Sequence, residues 1–179
     1  MEFFIIERDS QIQLPIKLST IPGFFESGMG QKLDEGDISA MAFILENDNP
    51  LGYEDFIFLD VSDTAKHRDF AKHLVIADKL QIIFAEYNPE ITFKPFALIN
   101  GLEKRNDVYW FCKIEPVIEV DNIDANLYPL LVPHGNSHII RLDMQNETKF
   151  AVTLPVVESI LRCLACGVTF RKVECGNHE

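Results

Sequence analysis

The sequence contains no long apolar run. None of its hydrophobic stretches approaches the roughly 20 residues that an α-helix needs to cross a bilayer. The opening segment MEFFIIERD has four apolar residues with acids on both sides, and it lacks the basic region of a secretory signal. We therefore expect a protein that works in the cytoplasm and does not associate with membranes.

Basic residues are also scarce. Lys and Arg number 16 against 28 Asp and Glu, which gives a net charge of −12. Proteins that bind nucleic acid use Lys and Arg to neutralise phosphates, so the composition argues against a nucleic-acid partner. A hydrophobic content of 47% over 179 residues is ordinary for a globular chain and predicts a single domain spanning residues 1–179.

The motifs of common enzyme classes are missing as well. The chain has no Walker phosphate loop, no dinucleotide-binding fingerprint and no G-x-S-x-G turn for a serine nucleophile. Asp60 and Asp63 follow a predicted strand, and together with His67 they would suit a small metal-dependent hydrolase or transferase. No β-α-β pattern surrounds them, so we interpret Asp60 and Asp63 as part of a turn or a helix cap. We expect no catalytic residues, with this enzyme as an alternative.

Three of the four cysteines lie near the C-terminus. Cys163 and Cys166 are followed by Cys175 and His178, and three thiols with one imidazole could hold zinc. Only eight residues separate the two pairs, and most of these are predicted to form a strand that carries Cys175 away from Cys166. We therefore expect no metal and no cofactor, with a zinc-stabilised interaction adaptor as a further alternative.

The most organised stretch of the chain is residues 154–173. Thr153 and Pro155 are a typical start signal for a helix. Gly167 is predicted to end this helix in the left-handed conformation, and residues 168–171 are predicted to form a strand. Four apolar residues between these signals have the spacing i, i+3, i+4, i+7 and predict one buried helix face: Val157, Ile160, Leu161 and Leu164.

Residues 77–96 have the same organisation 77 positions earlier, without a gap. Their apolar positions are Leu80, Ile83, Phe84 and Tyr87. Asn88 and Pro89 are predicted to end the helix, and residues 91–94 to form a strand. The two segments suggest an internal repeat, although short periodic segments of this kind also agree by chance.

Strands are predicted at several other places. Short runs at 3–6, 41–45 and 56–59 have strand composition, and two hairpins pair 91–99 with 108–114 and 138–142 with 149–152. Residues 117–120, beyond Pro116, are predicted to extend the strand before them. The expected fold is α+β: one domain of mostly antiparallel strands with two similar helix-turn-strand units.

The negative charge is concentrated in one segment. Residues 26–63, termed the acidic segment, contain ten acids and one base, so this segment alone carries −9 of the net charge of −12. An acidic surface attracts a basic partner and speeds encounter, although acidic faces also commonly serve solubility. We predict partner-binding residues in this segment: Asp34, Glu35, Asp37, Glu46, Asp48, Glu54 and Asp55.

Residues 109–121, YWFCKIEPVIEVD, resemble the central strand of the Imm-eleven-like family, which comprises immunity proteins of bacterial polymorphic toxin systems. In that family, an aromatic and aliphatic run after a tyrosine leads into an extension that contains Val-Asp. The two helix-turn-strand units are also similar to paired elements of the family, so the resemblance covers residues 70–173. The family commonly has Ser where the first helix begins, whereas this chain has Ala77 and Asp78.

This resemblance implies a protein without enzymatic activity that binds and neutralises a cognate bacterial toxin. It implies no catalytic residues. Many such toxins are basic nucleases, so the acidic segment would be the docking surface, with carboxylates in place of a phosphate backbone. The sequence carries no signal for an oligomeric state.

Overall fold

The computed structural model describes residues 2–11, 18–20, 41–45, 55–58, 73–100, 105–115, 117–120, 137–144 and 147–173. Within these ranges the helices are α1 (Asp78–Tyr87) and α2 (Leu154–Arg162). The strands are β1 (Phe3–Arg8), β2 (Leu18–Thr20), β3 (Met41–Leu45), β4 (Phe56–Ile57), β5 (Leu74–Ala77), β6 (Thr92–Asn100), β7 (Arg105–Lys113), β8 (Val117–Val120), β9 (Ile139–Met144), β10 (Thr148–Thr153) and β11 (Val168–Lys172). Neither helix has the length and the apolar run needed to traverse a membrane.

The strands form two sheets. The five-stranded sheet has the order β11-β1-β10-β9-β8, and the six-stranded sheet has the order β2-β3-β6-β7-β5-β4. Among the described residues, β3 with β6 and β8 with β9 pair in parallel, and the other neighbours pair antiparallel. The chain is therefore an α+β fold of mostly antiparallel strands, as the sequence predicts.

Each helix connects two strands that have a third strand between them. α1 leads from β5 to β6, and β7 lies antiparallel between these two strands. α2 leads from β10 to β11, and β1 lies antiparallel between them. Both are split β-α-β units. The similar segments 77–96 and 154–173 thus occupy equivalent positions in the two sheets.

The central strands of the two units differ in origin. β7 follows β6 directly in a hairpin, in which Thr92 lies opposite Lys113 and Asn100 lies opposite Arg105. β1 instead comes from the opposite end of the chain and inserts between β10 and β11. The N-terminal strand β1 therefore completes the C-terminal split β-α-β unit. Its residues pair with β10 and β11, which lie near the other end of the sequence.

One hydrophobic core joins both sheets and both helices. Each large apolar side chain that is fully buried contributes about 1.5–3 kcal/mol, so the sheets cannot separate without losing much of the stability. The core residues contributed by the sheets include Ile6, Ile139, Phe150 and Val152 on one side and Phe56, Leu74, Ile76 and Cys112 on the other. The helices contribute Leu80, Phe84, Val156, Val157 and Ile160.

Most predicted elements are present. Both predicted hairpins form, and the predicted strand 41–45 coincides with β3. α1 ends at Tyr87, directly before Asn88 and Pro89, as predicted. The strand β5 was not predicted, because its four apolar residues run directly into the amphipathic pattern of α1.

The prediction for residues 117–120 is wrong in one respect. They form a strand, but this strand is β8, which pairs in parallel with β9 in the five-stranded sheet. β7 lies in the six-stranded sheet. Pro116, which has no backbone N–H to donate to a strand ladder, stands between them in the sequence. Residues 109–121, which were predicted to form one extended strand, thus contribute to one strand in each sheet.

α2 is shorter than predicted. It begins at Leu154 with Thr153 in the N-cap position, but the side chain of Thr153 makes no capping hydrogen bond. It ends at Arg162 with Cys163 as the C-cap, well before Gly167. The helix therefore stops without the glycine that was predicted to end it.

Candidate partner-binding end of the helix pair

α1 and α2 lie side by side and run in opposite directions. The hydroxyl of Tyr87, at the end of α1, donates a 3.1 Å hydrogen bond to the carbonyl of Pro155 and lies 2.9 Å from Ser159 Oγ. Lys79, in the first turn of α1, donates through Nζ to the carbonyl of Cys163 over 3.3 Å. The start of each helix thus contacts the end of the other, so the pair is antiparallel.

Asp55 holds one end of this helix pair together. Its Oδ2 accepts a 2.7 Å hydrogen bond from the N–H of Cys166 and lies 2.8 Å from Lys79 Nζ. Its own N–H donates to the carbonyl of Cys166 over 3.2 Å, and its carbonyl accepts a 2.8 Å bond from the N–H of Ala77. These contacts, termed the Asp55 clamp, join the start of β4, the start of α1 and the chain beyond α2.

The prediction that Asp55 binds a partner is therefore wrong. The residue is 7% exposed, and its charge is already paired with Lys79 inside the fold. Asp55 is nevertheless informative, because it is the acid of the acidic segment that the structure places beside the ends of the two helices. The other predicted partner-binding residues lie outside the described residues: Asp34, Glu35, Asp37, Glu46, Asp48 and Glu54.

The turn that follows α2 has a leucine in the left-handed conformation. The N–H of Leu164 donates to the carbonyl of Leu161 over 3.0 Å, and that of Ala165 donates to the carbonyl of Ile160 over 3.4 Å. These are the two hydrogen bonds of a Schellman motif. The residue after the C-cap in this motif takes the left-handed conformation and is usually glycine. Leu164 occupies this position with a φ of 52°, which costs a residue with a Cβ about 1–2 kcal/mol. Gly167 is also left-handed, but it precedes β11.

Three large apolar side chains of the helix pair are exposed. Leu164 is 81% exposed, Leu161 in the last turn of α2 is 53% exposed, and Ile82 in the middle of α1 is 71% exposed. The prediction that Leu161 and Leu164 face the core is therefore wrong. Ile82 has the exposed acids Asp78 and Glu86 one helical turn away on either side, so carboxylates flank the apolar side chain.

The buried face of α2 explains this exposure. Its buried residues are Val156, Val157 and Ile160, an arc that packs on β10 and β1 and beside α1. Leu161 follows Ile160 by one residue, or about 100° around the helix, and this rotation carries it out of the buried arc. The apolar positions of α2 are thus divided between the core and the surface.

A second polar cluster lies at the opposite end of the helix pair. His138 Nδ1 is 2.9 Å from Thr153 Oγ1, and its ring contacts the edge of the Tyr87 ring with centroids 5.5 Å apart. A histidine beside a hydroxyl is an arrangement that nucleophilic catalysis uses. Thr153 is 1% exposed, however, so a substrate cannot reach its hydroxyl. The bond instead ties the residue before β9 to the end of β10, directly before α2.

The proposed zinc ligands are only partly described. Cys163 and Cys166 are exposed free thiols at the end of α2. In the part of the chain that the structure describes, no group of three or more His, Cys, Asp or Glu side chains is placed to hold a metal ion. The remaining candidates from the sequence lie outside that part: Cys175 and His178 for zinc, and Asp60, Asp63 and His67 for the alternative enzyme.

Cys112 has a different environment from the other two described cysteines. It lies in β7 and is completely buried in the core, as the sequence predicts. Burial raises the pKa of its thiol well above the ordinary value of 9.0, because the thiolate would lose its hydration. The thiol therefore stays protonated and unreactive in the folded protein.

Comparisons with known proteins give no assignment. No protein-family model matches the chain, and no curated protein or solved structure matches it either. The function is therefore inferred from the residues and from their geometry.

Proposed function

We propose that the protein is a non-enzymatic immunity-type protein that binds and neutralises a cognate bacterial toxin. The observation that carries the proposal is the segregation of charge, since the acidic segment holds −9 of the net charge of −12. The resemblance of residues 109–121 to the Imm-eleven-like family supports it. The partner is a basic protein, and carboxylates of the acidic segment occupy the groove in which that protein would otherwise hold nucleic-acid phosphates.

The location of Asp55 adds support from the structure. The Asp55 clamp holds Asp55, one residue of the acidic segment, beside the start of α1 and the chain beyond α2, and Leu161 and Leu164 are exposed at the end of α2. Acidic charge steers a basic partner during encounter, and apolar side chains at a contact exclude water once it forms. Exposed apolar side chains thus lie at the helix end that Asp55 joins.

The test takes the reading frame directly upstream of the gene for this chain, purifies the C-terminal domain that it encodes, and measures its binding to this chain. An upstream frame without a toxin-like domain would count against the proposal. A quadruple variant reverses acids of the acidic segment and spares Asp55: Asp34→Lys, Glu35→Lys, Asp37→Lys and Glu54→Lys. We expect this variant to lose binding. The association rate of the wild type should fall as salt is raised, because salt screens the attraction.

A matched control reverses the same number of acids outside the acidic segment. The exposed residues chosen are Glu2, Glu90, Glu115 and Glu147, each changed to Lys. Both variants have the same net charge, so only the position of the charge differs between them. Unchanged affinity and association rate in the first variant at low salt, or an equal loss in both, would contradict the proposal.

A further inference from the structure

We propose that two copies of this chain form a symmetric dimer through one face of the β6–β7 hairpin. Three cross-strand pairs of the hairpin lie on this face, because directly opposite residues share a face and so do residues two apart along a strand. The pairs are Pro95 with Trp110, Ala97 with Val108 and Ile99 with Asn106, and we term these six residues the hairpin face.

The two sides of the hairpin differ in burial. On the opposite side, Phe96 and Leu98 are 2% exposed and Tyr109 is 6% exposed. On the hairpin face, Val108 is 50% exposed, two further residues are exposed and the other three are half-buried. Five of these six residues are apolar. The hairpin face is therefore an apolar surface that the fold leaves partly in contact with water, and such surfaces commonly serve protein contacts.

The sequence of the strands is typical of a sheet that is covered on both sides. Residues 96–99 read FALI and β3 reads MAFIL, two uninterrupted apolar runs that pair with each other in parallel. Parallel strands with such runs are normally buried on both faces, whereas a strand with one face in water alternates apolar and polar residues. In register, Ala42 and Ile44 lie beside Ala97 and Ile99, so the apolar positions continue onto a third strand.

The distribution of charge indicates what covers the hairpin face. None of its six residues is charged, and by register Lys94, Asp107 and Lys113 lie on the opposite side of the hairpin. Asp78 lies at its rim, where the carboxylate accepts a 2.9 Å hydrogen bond from Trp110 Nε1. A basic partner would have to bury Lys or Arg against these neutral side chains, whereas a second copy brings an equally neutral face.

A twofold axis would stack one hairpin face on the other, as two sheets pack in a sandwich. Homodimer interfaces are typically apolar and poor in charge, which matches this face. The net charge of −12 on each copy opposes the dimer, but salt at physiological strength screens exposed charges beyond about 8 Å. The dimer should therefore become tighter as salt is raised, whereas binding of a basic toxin should become weaker.

The test compares Val108→Lys with Leu161→Lys by analytical ultracentrifugation over a range of protein concentrations. Val108 is 50% exposed and Leu161 is 53% exposed, so each variant adds one positive charge at a similarly accessible apolar position. Leu161 lies in the last turn of α2, outside the hairpin face. We expect the dissociation constant of the dimer to rise by about tenfold or more in Val108→Lys and to stay at the wild-type value in Leu161→Lys.

Trp110 provides a second readout, because it is the only tryptophan of the chain and lies on the hairpin face. Its fluorescence should move to shorter wavelength as the wild-type protein is concentrated, since dimerisation removes water from the half-buried ring. Val108→Lys should not show this shift over the same concentrations.

A wild type that stays monomeric at its highest soluble concentration and at high salt would overturn the inference. Equal dissociation constants for the wild type and both lysine variants would overturn it as well, because the interface would then lie elsewhere. If Val108→Lys does not fold, Val108→Thr decides, since it keeps the shape and strand preference of valine: a raised dissociation constant supports the hairpin face and an unchanged one refutes it. A dimer that does not bind the upstream domain supports this inference and contradicts only the proposed function.

Discussion

Replacing Asp55 by Ala tests whether the Asp55 clamp holds the ends of the two helices to the start of β4. The carboxylate is 10% exposed, and it accepts a 2.7 Å hydrogen bond from the N–H of Cys166. Hydrogen bonds to charged groups contribute about 1.5–3 kcal/mol, and a buried N–H left without its partner retains its desolvation cost. The ion pair with Lys79 adds less than about 1 kcal/mol, because the lysine is 46% exposed and solvent screens it.

We therefore expect Asp55→Ala to lower the free energy of unfolding by about 2–3 kcal/mol. For a chain of this length that corresponds to a fall in Tm of about 5–10 °C. Asp55→Asn should cost less, since its amide oxygen still accepts the bond from Cys166 while the charge is lost. Urea unfolding followed by circular dichroism gives the free energies, and heating gives Tm.

The control for this prediction is an ion pair that is fully accessible to water. Glu158 and Arg162 pair at 3.3 Å across one turn of α2, with side chains 52% and 77% exposed. Glu158→Ala should cost no more than about 0.5 kcal/mol. If Asp55→Ala costs no more than Glu158→Ala, the clamp does not hold the helix pair and the reasoning is refuted.

Three further predictions concern Leu164 and Cys112. Leu164→Gly should raise the free energy of unfolding by about 0.5–1 kcal/mol, since relief of the left-handed strain exceeds the added entropy of the unfolded chain; urea unfolding measures it. In the unfolded chain the thiol of Cys112 loses its proton near pH 9.0, whereas in the folded protein burial raises its pKa and the thiol keeps the proton. The free energy of unfolding should therefore fall as the pH rises above 9.0, by up to about 1.4 kcal/mol per pH unit. The Cys112→Val variant should not show this dependence of the unfolding free energy on pH. Unfolding curves of the variant and the wild type, recorded at a series of pH values, test this. In a Cys175→Ser background, Ellman's reagent should titrate two thiols in the folded protein and the third, that of Cys112, only after unfolding.

The local sequence pattern predicted which segments form helices and strands better than it predicted which strands pair with each other. The spacing of Leu80 and Phe84 identified α1 correctly, because an amphipathic helix encodes its buried face in its own residues. The insertion of β1 between β10 and β11 could not be read in the same way, since nothing within residues 3–8 specifies strands at the other end of the chain. The same limit explains the error for 117–120, a strand whose partner lies in the other sheet.

The end of α2 shows where a local rule misled. Leu161 and Leu164 continue the apolar spacing of Val157 and Ile160, so the pattern predicted a longer helix that ended at Gly167. The helix stops at Arg162, and a leucine takes the position that glycine normally fills. Residues that depart from local preference are often those that function requires.

Asp55 shows the corresponding limit for the candidate site. In the sequence it is one acid among ten in the acidic segment, and nothing distinguishes it from the acid before it. Its role depends on contacts with Lys79 and Cys166, which lie 24 and 111 positions away in the chain. Charge composition therefore predicted an acidic region, but only the structure shows that this member of it is buried and paired.

The most direct test of the account is rescue of cells from the neighbouring toxin domain. The C-terminal domain encoded by the reading frame directly upstream is expressed from one inducible promoter, and this chain is expressed from a second. The account predicts that the upstream domain alone arrests growth. The account predicts that the wild-type chain restores growth and forms a complex with the toxin that can be isolated, whereas the quadruple charge variant does neither. Growth arrest that persists when both proteins are present and folded would contradict the central claim that this chain neutralises that toxin.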